Sequence, residues 1–178
     1  MVQRAFGVGL ASEADAIQEL TEGWYNAAYL LRLADGRETV LKIAPPPGVE
    51  IMTYEHDLMH TEVSAMRLVA QNPTVPVPEI YFFDTIHDLC DADYFFMAKL
   101  RGDNYDHVKK ALGPETKAQI DRQIGKIIRE INGFTGNFFG YEGNPVLRAG
   151  TWKEAFMKIM ESVLADVCRK NAEYGFSI

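Results

Sequence analysis

The chain has 178 residues and a formal net charge of −7, which argues against general nucleic-acid binding because that function needs a basic surface. Its composition, 47% hydrophobic and 24% charged, is that of a folded protein with one ordinary domain or one and a half small lobes. No apolar run approaches the ~20 residues that span a bilayer, and the N-terminus lacks the apolar core of a signal peptide, so we expect a cytoplasmic protein without a membrane partner.

The first hundred residues predict five β-strands and one long helix. Asp35-Gly36 is typical of a tight hairpin turn, and the proline runs that begin at Pro45 and Pro73 are typical of breaks between elements. A short helix is expected at residues 12–15, before the first strand. The predicted strands are residues 16–20, 27–33, 39–44, 79–84 and 94–99.

The third strand contains one strong charge, Lys42, on the face that it shares with Val40. Taken alone, this pattern is compatible with an exposed lysine. Residues 51–71 have helical spacing, however, and they place Glu62 inside an apolar stripe, where a carboxylate needs a cationic partner. Lys42 is the nearest preceding candidate for that partner. Glu55, two turns earlier on almost the same line of the predicted helix, is the rival to Glu62.

After Leu100 the predicted elements are helices. One helix begins at Pro114 and has regularly spaced isoleucines, and another begins at a capping box at Thr151. A glycine-rich loop separates the two helices. We interpret both apolar stripes as core positions. The change from strands to helices predicts a boundary near Leu100, with one domain at residues 1–100 and a second at residues 101–178.

This order of elements resembles the N-terminal part of the aminoglycoside phosphotransferase and choline kinase-like family, over about residues 16–170. The resemblance implies an α+β fold: a protein-kinase-like small lobe, made of a five-stranded antiparallel sheet plus one helix, followed by the first helices of the large lobe. The short motifs that carry the resemblance are residues 22–29, 40–42, 60–63, 75–79 and 94–97, the turn at Gly102 and the helix start at 151–156.

The resemblance implies that the chain is the ATP-binding half of an enzyme that transfers the γ-phosphate of ATP to a hydroxyl of a small-molecule substrate. Lys42 would hold the α- and β-phosphates, and Glu62 would orient Lys42. The loop that would cover the phosphates has one glycine where protein kinases have three. Its residues are Gly23, Trp24, Tyr25 and Asn26.

The resemblance also implies an adenine slot at the end of the fifth strand. Met97 would lie at the back of this slot. The carbonyl of Ala98 and the amide of Leu100 would be the hinge contacts to the base. Leu100 to Asn104 would then form the hinge between the two lobes.

The catalytic part of the family pattern is missing from this sequence. That pattern is a His-x-Asp loop with an asparagine five residues after its aspartate, followed by a metal-binding acidic strand. The two His-Asp pairs, at His56 and His87, have neither the spacing nor the position for this role. Cys90 and Cys168 show no metal-like spacing either. We therefore assign no catalytic residue and no metal ligand within the chain, and we expect the Mg²⁺ ligands outside it.

Three consequences follow from this missing pattern, and two alternatives stay open. We expect the large lobe to be truncated, the chain alone to be inactive, and the helices at 120–131 and 156–167 to expose apolar surface that favours self-association. The first alternative is a non-catalytic nucleotide- or partner-binding module with a kinase-like small lobe. The second is an unrelated α+β domain with a structural ion pair.

Overall fold

The computed structural model describes residues 1–170. In this part of the chain, five strands form one antiparallel sheet in the order β1-β2-β3-β5-β4, which confirms the predicted sheet. The turn at Asp35-Gly36 joins β2 to β3, with Gly36 in the left-handed region at φ 83°. The strands are β1 Ile17–Leu20, β2 Ala27–Arg32, β3 Glu38–Ile43, β4 Ile80–Asp84 and β5 Tyr94–Ala98.

Helices account for most of the remaining described elements, so the fold class is α+β as predicted. The α-helices are α1 Val2–Phe6, α2 Leu58–Val69, α3 Tyr105–Val108, α4 Pro114–Ile131 and α5 Trp152–Arg169, and single 3₁₀ turns occur at Thr53–Glu55 and Pro145–Leu147.

Two local predictions are wrong, and two short helices are missed. Residues 12–15 form turns rather than a helix, and α1 and α3 were not predicted. The helix predicted at residues 51–71 begins only at Leu58. The reason is local: Thr53–Glu55 closes a separate 3₁₀ turn, and Asp57 has a positive φ of 58°, which interrupts helical geometry.

Contacts divide the chain into two compact units. The first unit contains Met1–Pro47 and Val63–Phe134, and therefore the whole sheet. The second contains Gly48–Glu62 and the chain from Thr135 onward. The domain boundary predicted near Leu100 stays a prediction.

In the first unit, α1 packs on one face of the sheet. Leu31, Leu41, Tyr94 and Phe96 form a buried cluster there, and Phe6 of α1 places its ring centroid 5.1 Å from that of Phe96 in an edge-to-face contact. Without α1 this apolar face would be open to water. The N-terminal helix is therefore part of the fold of the sheet.

A polar network fastens α1 at the same face. Arg4 Nη1 donates to Asp84 Oδ2 at 2.9 Å, and the same guanidinium pairs with Asp88 at 2.6 Å. Tyr94 donates its hydroxyl to the Asp84 carboxylate at 2.8 Å. Burial and this hydrogen bond raise the pKa of Tyr94 to about 12. Asp84 is 3% exposed, so its charge is compensated by groups that the fold brings to it.

In the second unit, a buried carboxylate holds the 3₁₀ turn against α5. Asp166 of α5 is 1% exposed and accepts hydrogen bonds from the Thr53 amide at 2.6 Å and the Thr53 hydroxyl at 2.8 Å. Arg169 adds an ion pair at 2.8 Å. The segment before α2 is thus fixed by side-chain chemistry, mainly by the charge on Asp166.

We expect Asp166→Asn to lower the thermal midpoint of unfolding at pH 7 by roughly 5–10 °C, because an amide has one acceptor oxygen where the carboxylate has two. The hydrogen bond from the Thr53 amide is the main cause that lowers the pKa of Asp166 in the folded protein. The stabilisation is therefore full above the unfolded pKa of about 3.9 and is lost as the pH falls through the lower folded value.

Thermal unfolding between pH 2 and pH 7 measures this effect. The wild type should lose stability below about pH 4, and the variant should lose less. Glu161→Gln, an exposed position on the same helix, is the matched control. Equal midpoints for Asp166→Asn and the wild type at pH 7 would show that the carboxylate does not hold the turn.

Candidate functional site

The candidate site is the sheet face opposite α1, where Lys42 lies. Antiparallel pairing aligns Ala28, Lys42 and Phe95 across β2, β3 and β5, so their side chains share this face. Lys42 is half-buried, and its Nζ lies 5.8 Å from the centroid of the fully buried Phe95 ring. The sheet therefore places the Lys42 ammonium group over the ring of Phe95. Because Lys42 is half-buried, its interpretation as a simple exposed lysine is wrong.

A second row of side chains continues the same face toward the hinge. Leu30, Val40 and Met97 are aligned across the same three strands, one pleat beyond Lys42. Val40 is buried and Met97 is half-buried. The structure thus brings Lys42 and Met97 onto one surface that is cationic at one end and apolar at the other.

Two backbone groups at the end of β5 are already engaged in hydrogen bonds. The Met97 carbonyl accepts from the Thr39 hydroxyl at 2.9 Å, and the Ala98 amide donates to the Glu79 carbonyl at 2.8 Å. A ligand at this edge therefore cannot use the amide of Ala98. The predicted contact through the Ala98 carbonyl is compatible with this arrangement.

The chain leaves the sheet after β5 as an exposed segment. Leu100 is 57% exposed, and Gly102 adopts a φ of 126° that residues with a Cβ rarely adopt. Asn104 then starts α3, because its Oδ1 accepts from the Asp106 amide at 3.0 Å. The predicted hinge residues are thus accessible, while the helix that follows has a defined start.

The loop between β1 and β2 contains the four residues predicted to cover the phosphates. It enters β2 at Ala27 and Ala28, which pair with Ile43 and Lys42, so the loop joins the sheet at the Lys42 end. Gly23 is tightly placed, since a Cβ there would lie 3.3 Å from the Asn26 carbonyl oxygen. Trp24 is fully exposed at 104% of the reference area. Tyr25 and Asn26 are half-buried.

The same loop is tied to α3 by a contact that sequence reasoning missed. Glu22 accepts a hydrogen bond from Asn104 Nδ2 at 3.0 Å, and its other oxygen lies 3.3 Å from His107 Nε2. The residues are more than eighty positions apart in sequence, and no periodic pattern links them. Only the fold itself could reveal this pair.

The two glutamates proposed as partners of Lys42 have different surroundings. Glu55 lies in the 3₁₀ turn and accepts from the Met52 amide at 2.7 Å, so it is not on the α2 line as the longer predicted helix required. Glu62 is on α2, half-buried and next to the buried Val63. Lys42 belongs to the first compact unit and Glu62 to the second, and their pairing stays a prediction.

The later part of α2 lies on the Lys42 face. Arg67 places its guanidinium carbon 6.0 Å from the centroid of the Phe83 ring. Phe83 is aligned with Phe95 and hence with Lys42. The two faces of the sheet are thus covered differently, by α1 on one side and by the end of α2 on the other.

The two His-Asp pairs of the sequence lie before α2 and between β4 and β5. His56 and Asp57 immediately precede α2, and His87 pairs with Asp93 at 2.6 Å in the turn between β4 and β5. Within residues 1–170 no group of three or more His, Cys, Asp or Glu side chains could hold a metal ion. None of the helices described is long and apolar enough to cross a membrane.

The sheet, the strand lysine and the helices that follow define a kinase-like phosphotransferase fold. Residues 16–164 match the model of the phosphotransferase enzyme family, and the chain belongs to this family. Two curated relatives are similar to it, both described as subtelomeric hrmA-associated cluster proteins of Aspergillus fumigatus. The one from strain Af293 is 25% identical and the one from strain CEA10 is 27% identical, each over 160 residues. The match covers 89% of this chain but only 30% of either relative, so the chain spans under a third of their length.

Proposed function

We propose that this chain forms the ATP-binding part of a cytoplasmic phosphotransferase that phosphorylates a hydroxyl of a small-molecule substrate. The observation that carries the proposal is the shared face of Lys42 and Met97 in a chain of the phosphotransferase family. A cation at one end of an apolar strip matches a nucleotide, which has a phosphate chain at one end and a flat base at the other.

The residues of this face fit ATP in charge and shape. The small or apolar side chains of Ala28, Val40 and Met97 suit the flat surface of an adenine, with the Ala98 carbonyl and the Leu100 amide as hinge contacts. Lys42 suits the α- and β-phosphates, and the role of Glu62 in orienting its ammonium group stays a prediction. The loop from Gly23 to Asn26 would close over the phosphates. Among residues 1–170, no group of three or more His, Cys, Asp or Glu side chains could hold Mg²⁺.

In the proposed reaction, the γ-phosphoryl group moves from the β-phosphate oxygen of ATP to the acceptor hydroxyl, whose proton leaves to a base. This chain's contribution is to bind and orient the nucleotide, since positioning and electrostatic stabilisation supply most of the catalysis in phosphoryl transfer. The acceptor site and the base would come from large-lobe residues outside this chain.

Phosphoryl transfer from γ-labelled ATP to a set of small hydroxyl compounds tests this proposal. We expect no transfer by the 178-residue chain alone. A longer native protein that contains this sequence and a His-x-Asp loop should transfer phosphate. Lys42→Ala in that longer protein should lower the rate at least about 100-fold. Unchanged transfer by the Lys42→Ala protein would refute the assignment.

A second candidate function is a non-catalytic module that binds a partner, and the exposed helix faces favour it. No residue of α4 is buried, and Ile124, Ile128 and Ile131 are 39–51% exposed, so the interpretation of this stripe as core is wrong in the described chain. On α5, Phe156 and Met160 are similarly exposed. We propose that these faces drive self-association. Sedimentation of the chain, together with ATP titration, distinguishes the two candidate functions. A chain that is monomeric and binds ATP would leave the partner-binding candidate without support.

A further inference from the structure

We propose that Glu22 is a positioning residue that holds the β1–β2 loop in the place where it covers the nucleotide. This inference rests on the proposed function, because the loop that Glu22 would position belongs to the proposed nucleotide site. Glu22 lies one residue before Gly23, at the start of the segment predicted to close over the phosphates. Its partners are Asn104, the last residue of the predicted hinge, and His107 of α3.

Both oxygens of the Glu22 carboxylate are engaged. Oε2 accepts from Asn104 Nδ2 at 3.0 Å, and Oε1 lies 3.3 Å from His107 Nε2. Asn104 is itself fixed, because its Oδ1 accepts from the Asp106 amide at 3.0 Å and caps α3. Because Oδ1 of Asn104 is used in the cap, its Nδ2 is the atom that donates to Glu22. These two contacts, with Asn104 and with His107, hold the start of the loop beside the start of α3.

The contact joins two segments that the proposed nucleotide would also join. The loop enters β2 beside the Lys42 row, where the phosphates would lie, and Asn104 is the last residue of the predicted hinge, which would contact the adenine. A loop already held at Glu22 loses less conformational freedom when ATP binds, so holding it raises affinity without any direct contact to the ligand.

The contact of Glu22 with Asn104 and His107 is also weak enough to break when the loop moves. The side chains of Glu22 and His107 are 63% and 62% exposed, and an exposed pair is solvated and screened. This strength suits a loop that must admit and release a nucleotide. It also sets the size of the expected effect, which is a change in affinity of about fivefold and not a loss of binding.

The experiment uses Trp24 as a reporter, because it lies two residues after Glu22 and is fully exposed. The chain has two tryptophans, so Trp152→Phe leaves Trp24 as the single fluorophore. In this background Glu22→Ala should lower the fluorescence anisotropy of Trp24 without nucleotide and raise the Kd for Mg-ATP about fivefold. Glu22→Gln keeps an acceptor for Asn104 and should lie between the two.

Glu19→Gln is the matched control, since Glu19 is an exposed carboxylate on β1 whose strand partner Tyr29 places it on the opposite face from Lys42. It should change neither readout, and thermal unfolding should show Glu22→Ala folded as stably as the wild type. Unchanged Trp24 anisotropy in Glu22→Ala overturns the inference. Equal ATP affinity with lower anisotropy also overturns it while the proposed function stands. If the Trp152→Phe protein with Glu22 intact does not bind Mg-ATP, both the inference and the proposed function are overturned.

Discussion

Replacing Lys42 by methionine should weaken Mg-ATP binding by about 10- to 100-fold, because it removes charge-assisted hydrogen bonds to the phosphates while keeping a similar stem. The side chain would remain over the Phe95 ring, so packing beneath it should be preserved. Nucleotide titration followed by intrinsic fluorescence measures the change. Thermal unfolding of the same samples separates lost binding from lost folding.

Lys110→Met is the control for the lost positive charge. Lys110 is exposed and lies after α3, outside the strands that form the sheet. Its replacement should leave the Kd within about twofold, since a solvent-exposed charge is largely screened. If both lysine variants bound Mg-ATP as tightly as the wild type, Lys42 would have no role at a phosphate site.

Replacing Phe96 by alanine should lower the free energy of unfolding by about 3–5 kcal/mol, the largest stability loss that we expect for one substitution in the sheet. Phe96 has no exposed surface and lies in the cluster with Leu31 and Leu41. Its ring also contacts the ring of Phe6 in α1, with the two ring centroids 5.1 Å apart. Removing it leaves a cavity between the sheet and the N-terminal helix. Urea unfolding gives the magnitude.

The control for Phe96→Ala is Ile86→Ala, in the turn between β4 and β5. The Ile86 side chain is 73% exposed, so its loss should change the free energy of unfolding by less than about 0.5 kcal/mol. Phe96 faces away from Lys42, so any folded fraction of Phe96→Ala should bind nucleotide normally. A loss below 1 kcal/mol for Phe96→Ala would mean that α1 does not close this face as the structure shows.

The sheet could be predicted because its signals are local. The strands predicted at residues 39–44, 79–84 and 94–99 are short β-branched or aromatic runs, Pro45 ends the first of them, and Asp35-Gly36 fixes a tight hairpin. The same holds for the two long helices, whose starts are marked by Pro114 and by Thr151, which accepts from the Glu154 amide at 3.3 Å. Patterns of this kind depend on neighbours in sequence and need no tertiary information.

The missed elements depend on tertiary contacts. α1 has five residues, too few to show a repeated helical period, and it is held by Phe96 and Asp84, far along the chain. The start of α2 was misplaced because the apolar spacing continues through the 3₁₀ turn, where Asp166 and not periodicity fixes the backbone. Long-range polar contacts of this kind leave no regular signal in a sequence.

The candidate site was predictable only in part, for the same reason. Strand alternation correctly grouped Lys42 with Val40, but their alignment with Met97 depends on the register between β3 and β5. The contact of Glu22 with Asn104 and His107 required the fold. The roles of Glu62 and of the hinge residues toward a nucleotide stay predictions, because they concern a ligand that only an experiment can supply.

The most direct test of the nucleotide-binding assignment is amide chemical-shift mapping of the ¹⁵N-labelled chain during titration with Mg-ATP to several millimolar. We expect saturable shifts at Gly23–Asn26, at Lys42 and at Met97–Leu100, none at Val2–Phe6 on the opposite face, and loss of the shifts in Lys42→Met. The absence of saturable shifts, or shifts confined to other surfaces, would contradict the assignment of this face as a nucleotide site.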